Sequence, residues 1–409
     1  MEKYISIDKI VQSISITHTF DKEKLYAINT SDVLEGIIIN APLMNVSELK
    51  GQFKKTIKKG DLLFSEIRPA NKRYAKVLIE DTKDYVVSTK LMVLRKFNDD
   101  VDFDYFYYCL TNEWFLNILQ KRAENRICSF PQITFDLLSE YKFRIPELTE
   151  QQRIAKTLSL IDQKIFLNTR MNAELEAMAK QLYDYWFVQF DFPDENGNPY
   201  KSSGGEMVYN SALKREIPAG WEVRNLFYIA NYYNGLACQN YRPQEGEDSL
   251  PVIKITEMHN GFTSETERAS ANITSEAIIE NGDVLFAWSA SLEVMLWGLG
   301  KGALNQHIFK VTSNNGFPKS FYYFQLMEYV GHFKKIAEAK KTTMGHITKD
   351  HLEQSQIVVP PSADLPKKLE KKIAPLMDKI VSLSSERIYL THLRDSLLPM
   401  LMNGQGTVK

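Results

Sequence analysis

The amino-acid sequence predicts an α+β protein in which two related globular units alternate with two long helices. Three short strings occur twice, in the same order and roughly 215 residues apart. A long ladder of regularly spaced apolar residues follows each copy of the last string. Within the globular units, short β-branched and aromatic runs alternate with helical stretches, which is typical of an α+β fold.

The internal repeat is the first of these observations. The paired strings are KKGDLLFSEI with ENGDVLFAWS, FYYCL with FYYFQL, and ITFDLLSEYKFRIP with ITKDHLEQSQIVVP. Their offsets are 222, 215 and 214 residues, so a small insertion separates the first pair from the others. Three matches in one order indicate two copies of one structural unit.

The two ladders predict two long helices. Apolar residues recur at alternating four- and three-residue steps, which is the pattern of a coiled-coil seam. The alternative is a pair of long core helices within one domain. The first ladder is Ile154, Leu158, Ile161, Ile165, Asn168, Asn172, Leu175, Ala179, Leu182 and Trp186. The second is Leu369, Ile373, Leu376, Ile380, Leu383, Arg387, Leu390, Arg394, Leu397 and Leu401.

Prolines and a polar stretch divide the chain into segments. Residues 1–146 form the first globular unit and residues 147–190 the first helix. Residues 191–216 are predicted to be a linker, because they are rich in Pro, Gly, Asn and Ser. Residues 217–360 form the second unit, and residues 361–409 the second helix.

Composition and charge argue against several classes of protein. With 44% hydrophobic and 25% charged residues, the chain has a globular rather than a disordered composition. A net charge of -1 argues against a DNA binder that depends on its own charge alone. No apolar run is long enough to predict a membrane span. Isolated Cys109, Cys128 and Cys238 form no redox pair or disulfide framework, so a reduced cytoplasm is expected.

Patterns of catalysis are not found in the sequence. The glycine-rich run at residues 298–302 lacks the spacing of a phosphate-binding loop and predicts a turn or bulge. Residues 198–200 (Asn-Pro-Tyr) lack the second proline of the adenine methyltransferase motif. The carboxylates at residues 191–195 lack a strand scaffold for a metal, and the histidines show no paired ligand spacing. We therefore expect no catalytic residue, no metal and no cofactor.

Two sets of cationic and polar residues suit DNA binding instead. Lys and Arg bind phosphates, while Arg, Asn, Gln and Thr suit base edges. Residues 119–134 and 333–348 occupy matching repeat positions, each on a helix end and the loop after it. A solvated helix face is the alternative for every member. The predicted DNA-binding residues are Arg68, Lys72, Arg73, Arg122, Asn125, Arg126, Ser129, Gln132, Lys340, Lys341, Thr342, Thr343 and His346.

Long strings of the chain resemble one family. IPELTEQQRIAKTLSLIDQKIFLNTRMNAELEAMAKQLYDYWFVQFDFP is similar to the central region of specificity subunits of type I restriction-modification enzymes. The strings NGNPYKSSGGEMVYNSALKREIPAGWEV, NGDVLFAWSASLEV, GALNQHIFKV and LRDSLLPMLMNG also resemble segments of that family. The resemblance extends over essentially the whole chain, and the first unit shows fewer such strings than the second.

The resemblance implies a fold and a function. Each globular unit would be a target recognition domain that reads one half of a bipartite site in double-stranded DNA. The helices would pair as an antiparallel coiled coil, set the distance between half-sites and dock two methylation subunits, which restriction subunits then join. The chain itself would be non-catalytic. A protein–protein scaffold without DNA readout is one alternative, and a self-contained methyltransferase or nuclease is another.

Antiparallel pairing about the ladder midpoints also predicts a register. Ile154 then faces Leu401, and Asn168 faces Arg387 at the centre. Arg387 either joins Asn168 in a polar layer that fixes register or extends past the seam to water. Arg394 is expected to extend to water.

Overall fold

The computed structural model describes residues 3–49, 51–124, 132–289, 292–339 and 347–406, with the backbone alone for residues 336–339. Two structural units divide the chain: Met1–Gln163 with His392–Lys409, and Lys164–Thr391. Each unit combines sheets with helices, so the predicted α+β class is confirmed. Two long helices contribute residues to both units.

The first of these long helices follows a region rich in short strands. Its elements in chain order are β1 (Lys3–Ser6), β2 (Val11–Ile14), β3 (Lys24–Ile28), β4 (Val33–Leu34), β5 (Ile37–Ile38), β6 (Leu43–Asn45), β7 (Phe53–Lys55), β8 (Leu62–Ser65), β9 (Tyr74–Lys76), β10 (Tyr85–Ser88), β11 (Leu91–Lys96), α1 (Phe103–Thr111), α2 (Glu113–Glu124), α3 (Phe135–Ser139), β12 (Lys142–Ile145) and the long α4 (Leu148–Phe187).

The remainder of the chain repeats that plan. Its elements are β13 (Met207–Asn210), β14 (Arg215–Pro218), β15 (Glu222–Arg224), α5 (Leu226–Ile229), β16 (Ala230–Asn234), β17 (Ser249–Ile253), α6 (Ile255–Asn260), β18 (Arg268–Ser270), β19 (Ile278–Ile279), β20 (Val284–Ala287), β21 (Glu293–Leu296), β22 (Gly302–Leu304), β23 (Ile308–Ser313), α7 (Lys319–Ala339), α8 (Lys349–Glu353), β24 (Ile357–Val359) and the long α9 (Asp364–Met402).

Strand order confirms the internal repeat. One four-stranded sheet has the order β2-β11-β8-β9 in the first unit and β16-β23-β20-β21 in the second. The other has the order β6-β3-β10-β7 and β18-β17-β22-β19, with a parallel pair at its centre in both cases. A two-stranded ribbon, β1-β12 or β15-β24, completes each copy.

The repeated Gly-Asp pair has a structural cause. Gly60 and Gly282 have φ values of 88° and 87°, a left-handed conformation that favours glycine. The next residue closes the turn: the Asp61 carboxylate accepts the Lys58 N–H at 2.7 Å, and Asp283 accepts the Glu280 N–H at 2.8 Å. The turn leads into β8 or β20, whose residues are all buried.

The predicted ladders lie on the covered side of the long helices. None of the ladder residues is exposed. Those with no exposed surface include Ile154, Leu158, Asn168, Ala179 and Ile373. Part of each ladder belongs to the core of the unit that contains it. Most of the stability of each long helix therefore comes from the packing of its covered face rather than from the helix propensity of its residues.

The segment at residues 191–216, predicted to be a linker, has its own ordered structure. It contains β13 and the first half of β14, and the two strands form a hairpin. Phe192 is 8% exposed and stacks between Tyr200 and Trp221, with ring centroids 4.7 and 5.2 Å away. Its Gly and Asn residues serve tight turns, so the composition did not reveal the aromatic cluster between them.

The long helices run antiparallel in the second unit. Asn168 Nδ2 donates to Glu386 Oε2, and Asn172 Nδ2 donates to Ser384 Oγ, both at 2.9 Å. Residue numbers rise along α4 as they fall along α9, so the predicted direction is confirmed. The bonded partner of Asn168 is Glu386 rather than Arg387, because a carboxylate accepts the amide N–H that a guanidinium cannot.

The expectation that Arg394 extends to water is wrong. In the first unit its guanidinium contacts Asp162 at 3.1 Å and Asp395 at 2.8 Å. Asp162 also accepts a hydrogen bond from the Tyr108 hydroxyl at 2.7 Å. These partners retain the cation beside the seam, and the two carboxylates raise the pKa of Arg394 despite its burial.

A glycine allows α9 to approach the second sheet region closely. A Cβ at Gly298 would lie 2.9 Å from the Val381 carbonyl oxygen and 3.2 Å from Ser384 Cβ. Ser385 Oγ donates to the Gly298 carbonyl. Gly300 has a φ of 89°, and its N–H donates to Asn281. The run at residues 298–302 is therefore a packed turn, as predicted.

Replacing Asn168 by Leu should stabilise the helix pair and weaken its register. The Asn168 Oδ1 atom is buried and has no partner among the described residues, and such a group costs about 1–3 kcal/mol. We expect the free energy of unfolding in urea to rise by about 1–2 kcal/mol. Crosslinking of cysteines introduced by Asn172→Cys and Ser384→Cys should become less efficient. Thr169→Leu, at an exposed position of the same helix, is the control. Lower stability with unchanged crosslinking would contradict this role.

Replacing Gly298 by Ala should destabilise the second unit by about 1–3 kcal/mol, because the new methyl group forces backbone and helix apart. Gly331→Ala is the control, since nothing lies within 4 Å of a Cβ there. That change lies in α7 and should stabilise by about 0.5–1 kcal/mol. Urea denaturation measures both changes. Equal effects of the two variants would show that the close approach has no energetic role.

Candidate nucleic-acid interface

The first cationic loop is held against α2. Arg68 and Lys72 flank a short 3-10 turn, and both have left-handed backbone conformations, with φ values of 46° and 54°. The Ala70 N–H within the turn donates to Gln120 of α2 at 3.3 Å. Arg68 is exposed, and Lys72 contacts Glu35 at 3.5 Å. An exposed ion pair of this kind contributes little to stability, so Lys72 can exchange its partner for a phosphate.

Arg73 has a different environment from its neighbours. Its Nη1 donates to the Ser31 and Val33 carbonyl oxygens at 3.0 and 3.2 Å. These two bonds anchor the loop to the strand region before β5. Arg73 therefore stabilises the loop, in addition to the DNA-binding role that the sequence predicts for it.

The other predicted residues of the first unit lie on both sides of the segment at residues 125–131. Arg122, on α2, pairs with Glu140 at 2.6 Å and lies over the Tyr141 ring. Gln132 Nε2 donates to Glu66 Oε2 at 2.7 Å. Asn125, Arg126 and Ser129 lie outside the described residues.

The predicted residues of the second unit lie between α7 and α8. Lys340, Lys341, Thr342, Thr343 and His346 all lie outside the described residues. The residue that follows them, Ile347, is fully buried and donates its N–H to the Trp288 carbonyl at 3.0 Å. In the first unit, Ile133 donates to the Glu66 carbonyl at 2.7 Å. The two predicted reading segments therefore end at the same place in the fold.

A second pair of equivalent residues, Lys90 and His307, lies beside the residues that bond to Ile133 and Ile347. The Glu66 N–H donates to the Lys90 carbonyl at 3.0 Å, and the Trp288 N–H donates to the His307 carbonyl at 3.4 Å. Lys90 and His307 are both exposed and precede β11 and β23. The sequence did not single out Lys90, Glu66 or His307, because the clusters of charged residues lie elsewhere in the chain. The sequence does contain one signal for this position. At the end of the strand that follows the repeated Gly-Asp pair, Ser65-Glu66 in the first copy corresponds to Ala287-Trp288 in the second.

A cavity of about 140 Å³ in the first unit is lined in part by buried tyrosines and an ion pair. Its lining includes Tyr107, Tyr108, Asp162 and Arg394. Burial raises the pKa of both tyrosine hydroxyls, so they remain protonated at neutral pH. Asp162 is occupied by the Tyr108 hydroxyl and Arg394. Tyr108, Asp162 and Arg394 therefore stabilise the packing around this cavity.

Metal-ligand clusters and membrane spans were also sought in the described part of the chain. It contains no group of three or more His, Cys, Asp or Glu side chains placed to bind a metal. Across the same residues, no helix has the length and apolarity needed to cross a membrane.

Comparison with known proteins defines the class. The sequence profile of the type I restriction modification DNA specificity domain matches residues 7–177 and again residues 218–388. The two matches cover most of the chain and coincide with the structural repeat. The chain therefore belongs to the family of type I restriction-modification specificity subunits. Members of this family recognise the DNA sequence, and other subunits of the complex carry catalysis.

Individual relatives agree with this assignment. The chain is 30% identical to the type I restriction enzyme HindI specificity subunit of Haemophilus influenzae, over 98% of this chain and 99% of the relative. It is 26% identical to the MjaIX specificity subunit of Methanocaldococcus jannaschii, over 76% and 71% of the two chains. The crystal structure of the S subunit from M. genitalium shares the fold, with a TM-score of 0.57, 16% identity and coverage of 98% and 96%.

Proposed function

We propose that each α+β unit of this specificity subunit reads one half of a bipartite site in double-stranded DNA. The observation that carries this proposal is the repeat itself. One chain holds two copies of a strand scaffold, and the exposed residues at equivalent ends of that scaffold differ. Two copies with different surfaces suit two different half-sites. The match to a DNA specificity domain favours this function over a scaffold without DNA readout.

Different segments of the chain carry different parts of this function. Residues 1–146 and 217–360 serve as the recognition domains, and residues 147–190 and 361–409 as the conserved helices. Residues 191–216 connect the first helix to the second domain. The helices have 40 and 39 residues, or about 60 Å each at 1.5 Å per residue. They set the distance between the half-sites.

The predicted cations and polar side chains divide into two roles. Arg68, Lys72 and Arg122 bind phosphates of the first half-site, and Lys340 and Lys341 those of the second. Asn125, Arg126, Ser129 and Gln132 read bases in the first half-site. Thr342, Thr343 and His346 do so in the second. The exposed position of Arg68 and the exchangeable partners of Lys72 and Arg122 support the phosphate role.

The chain works within a larger assembly. Two methylation subunits dock on the helices, and restriction subunits join through them, in the cytoplasm. A chain with a net charge of -1 gains little affinity from counterion release by itself. Closure of the methylation subunits around the duplex supplies the remaining affinity, while the recognition domains supply specificity.

Exchanging residues 1–146 for the first domain of another family member should change one half of the methylated motif. The second domain keeps its own fold and its own contacts, so its half should stay the same. Sequencing of methylated bases in a host expressing the complex measures both halves. A simultaneous change in both halves would contradict separable domains.

Removing two cations from the second predicted segment should weaken DNA binding without altering sequence preference. Each phosphate contact contributes about 0.9 to the slope of log K against log salt, so Lys340→Ala with Lys341→Ala should lower it by up to about 1.8. Binding of the reconstituted complex to its site is measured between low and moderate salt.

The paired controls for that experiment are single changes. Thr343→Ala or His346→Ala should disturb discrimination in one half-site and leave the salt slope unchanged. Unchanged binding and methylation in the double variant and in both single variants would place the DNA contacts of the second domain elsewhere.

A further inference from the structure

Both recognition units present a turn that is closed by an equivalent hydrogen bond but ends in a different exposed side chain. The turn lies before β11 in the first unit and before β23 in the second. A buried polar side chain organises it: Ser88 Oγ accepts the Lys90 N–H, and Asn305 Oδ1 accepts the His307 N–H, both at 3.3 Å. The residue two positions later, Lys90 or His307, is exposed. Backbone and support are thus retained while the presented side chain changes.

We propose that Lys90 and His307 are base-reading residues, one in each recognition domain, and that this turn is a specificity-determining position of the fold. The proposal rests on the proposed DNA-reading function. Both residues are joined through their carbonyl groups to Glu66 or Trp288, the same residues whose carbonyls hold Ile133 and Ile347. The turn therefore shares its backbone support with the ends of the two predicted reading segments.

The surroundings of His307 suit a base edge rather than a phosphate. Its imidazole packs on the Trp288 ring, with centroids 5.7 Å apart, and Trp288 Nε1 donates to Asn234 Oδ1 at 3.2 Å. Gln306 Nε2 lies 3.4 Å from His307 Nε2. Each ring nitrogen of His307 can donate or accept a hydrogen bond according to the tautomer. The imidazole, amide and indole groups of this cluster offer hydrogen-bonding atoms of the kind that base edges pair with.

The position is also rigid, which precise readout requires. A Cβ at Gly235 would lie 2.2 Å from the Asn305 carbonyl oxygen, so the end of β16 and the turn are in direct backbone contact. The Gly235 N–H donates to Ile308 at 3.0 Å, and the Gln306 N–H donates to Leu236 at 2.8 Å. The turn is therefore held on both sides by backbone bonds that do not depend on the exposed side chain.

The equivalent site in the first unit has different chemistry. Glu66 accepts from Gln132 at 2.7 Å and lies 4.0 Å from Lys55 Nζ. Lys55 itself is buried and donates to the Leu91 carbonyl at 2.8 Å. Lys90 thus presents an ammonium group, which donates to acceptors such as guanine O6 and N7. The first domain thus presents a cation beside a carboxylate, and the second presents an aromatic cluster. This difference gives the two half-sites different requirements.

The test uses the complete chain reconstituted with its methylation subunits. The methylated motif is first determined for the unaltered complex. Binding is then measured for duplexes that each carry one exchanged base pair of the motif. A base contact contributes about 5- to 150-fold discrimination at its position. We expect His307→Ala to remove this discrimination at one base pair of one half-site, and Lys90→Ala to do so in the other half-site.

Each variant serves as the control for the other, because each should leave one half-site unchanged. Asn231→Ala is a further control: Asn231 lies near the opposite end of β16, and its amide donates to the Ser313 carbonyl at 2.9 Å. It should leave discrimination at every position unchanged. His307→Gln, which keeps a hydrogen-bonding side chain, should retain part of the discrimination.

Three results would overturn the proposal. They are unchanged discrimination in His307→Ala and Lys90→Ala, equal weakening of binding at all duplexes, and complete loss of binding by a chain that still assembles. Equal weakening would indicate phosphate contact or altered folding instead. If the unaltered complex shows no bipartite motif, the proposed function fails. If it shows one that both variants keep, only the role of this turn fails.

Discussion

The backbone bond that closes each recognition unit is the constraint on which the rest of the site depends. Ile133 bonds to the Glu66 carbonyl and Ile347 to the Trp288 carbonyl. A main-chain bond makes no demand on the side chain of its acceptor residue, so Glu and Trp can occupy one position. The frame is thus independent of the exposed residues, and a recognition domain of this design can change its surface without losing its fold.

In the long helices, side chains rather than backbone bonds define the geometry, and they do so at a cost in stability. Their ladders are apolar except at Asn168, Asn172, Arg387 and Arg394. Near the centre, Asn168 and Asn172 each leave one buried oxygen without a partner among the described residues. An all-apolar seam would be more stable, but it could shift by a heptad with little cost. Amide bonds to Glu386 and Ser384 are lost after any such shift, so these polar groups define the register.

Sequence periodicity predicted the fold well because it records burial directly. The ladders, the repeat and the turn at residues 298–302 all follow from spacing and from glycine conformation. Partner identity was harder: Glu386 lies next to Arg387, and apolar spacing alone does not distinguish two adjacent polar residues. The aromatic cluster around Phe192 was missed because turn residues dominate the composition there. Lys90 and His307 were missed because isolated exposed residues give no pattern until the strands align them.

Affinity and specificity have different physical sources in a chain of this kind. Counterion release requires many cations, and the 50 Lys and Arg residues are balanced by 51 Asp and Glu residues. Several predicted phosphate ligands already have carboxylate neighbours, such as Glu35 for Lys72 and Glu140 for Arg122. These neighbours reduce the binding of any DNA regardless of sequence, whereas the contact proposed for His307 depends on the base that it meets. Under the proposed function, a near-neutral reader discriminates well only when other subunits hold the duplex, which would make sequence recognition conditional on assembly.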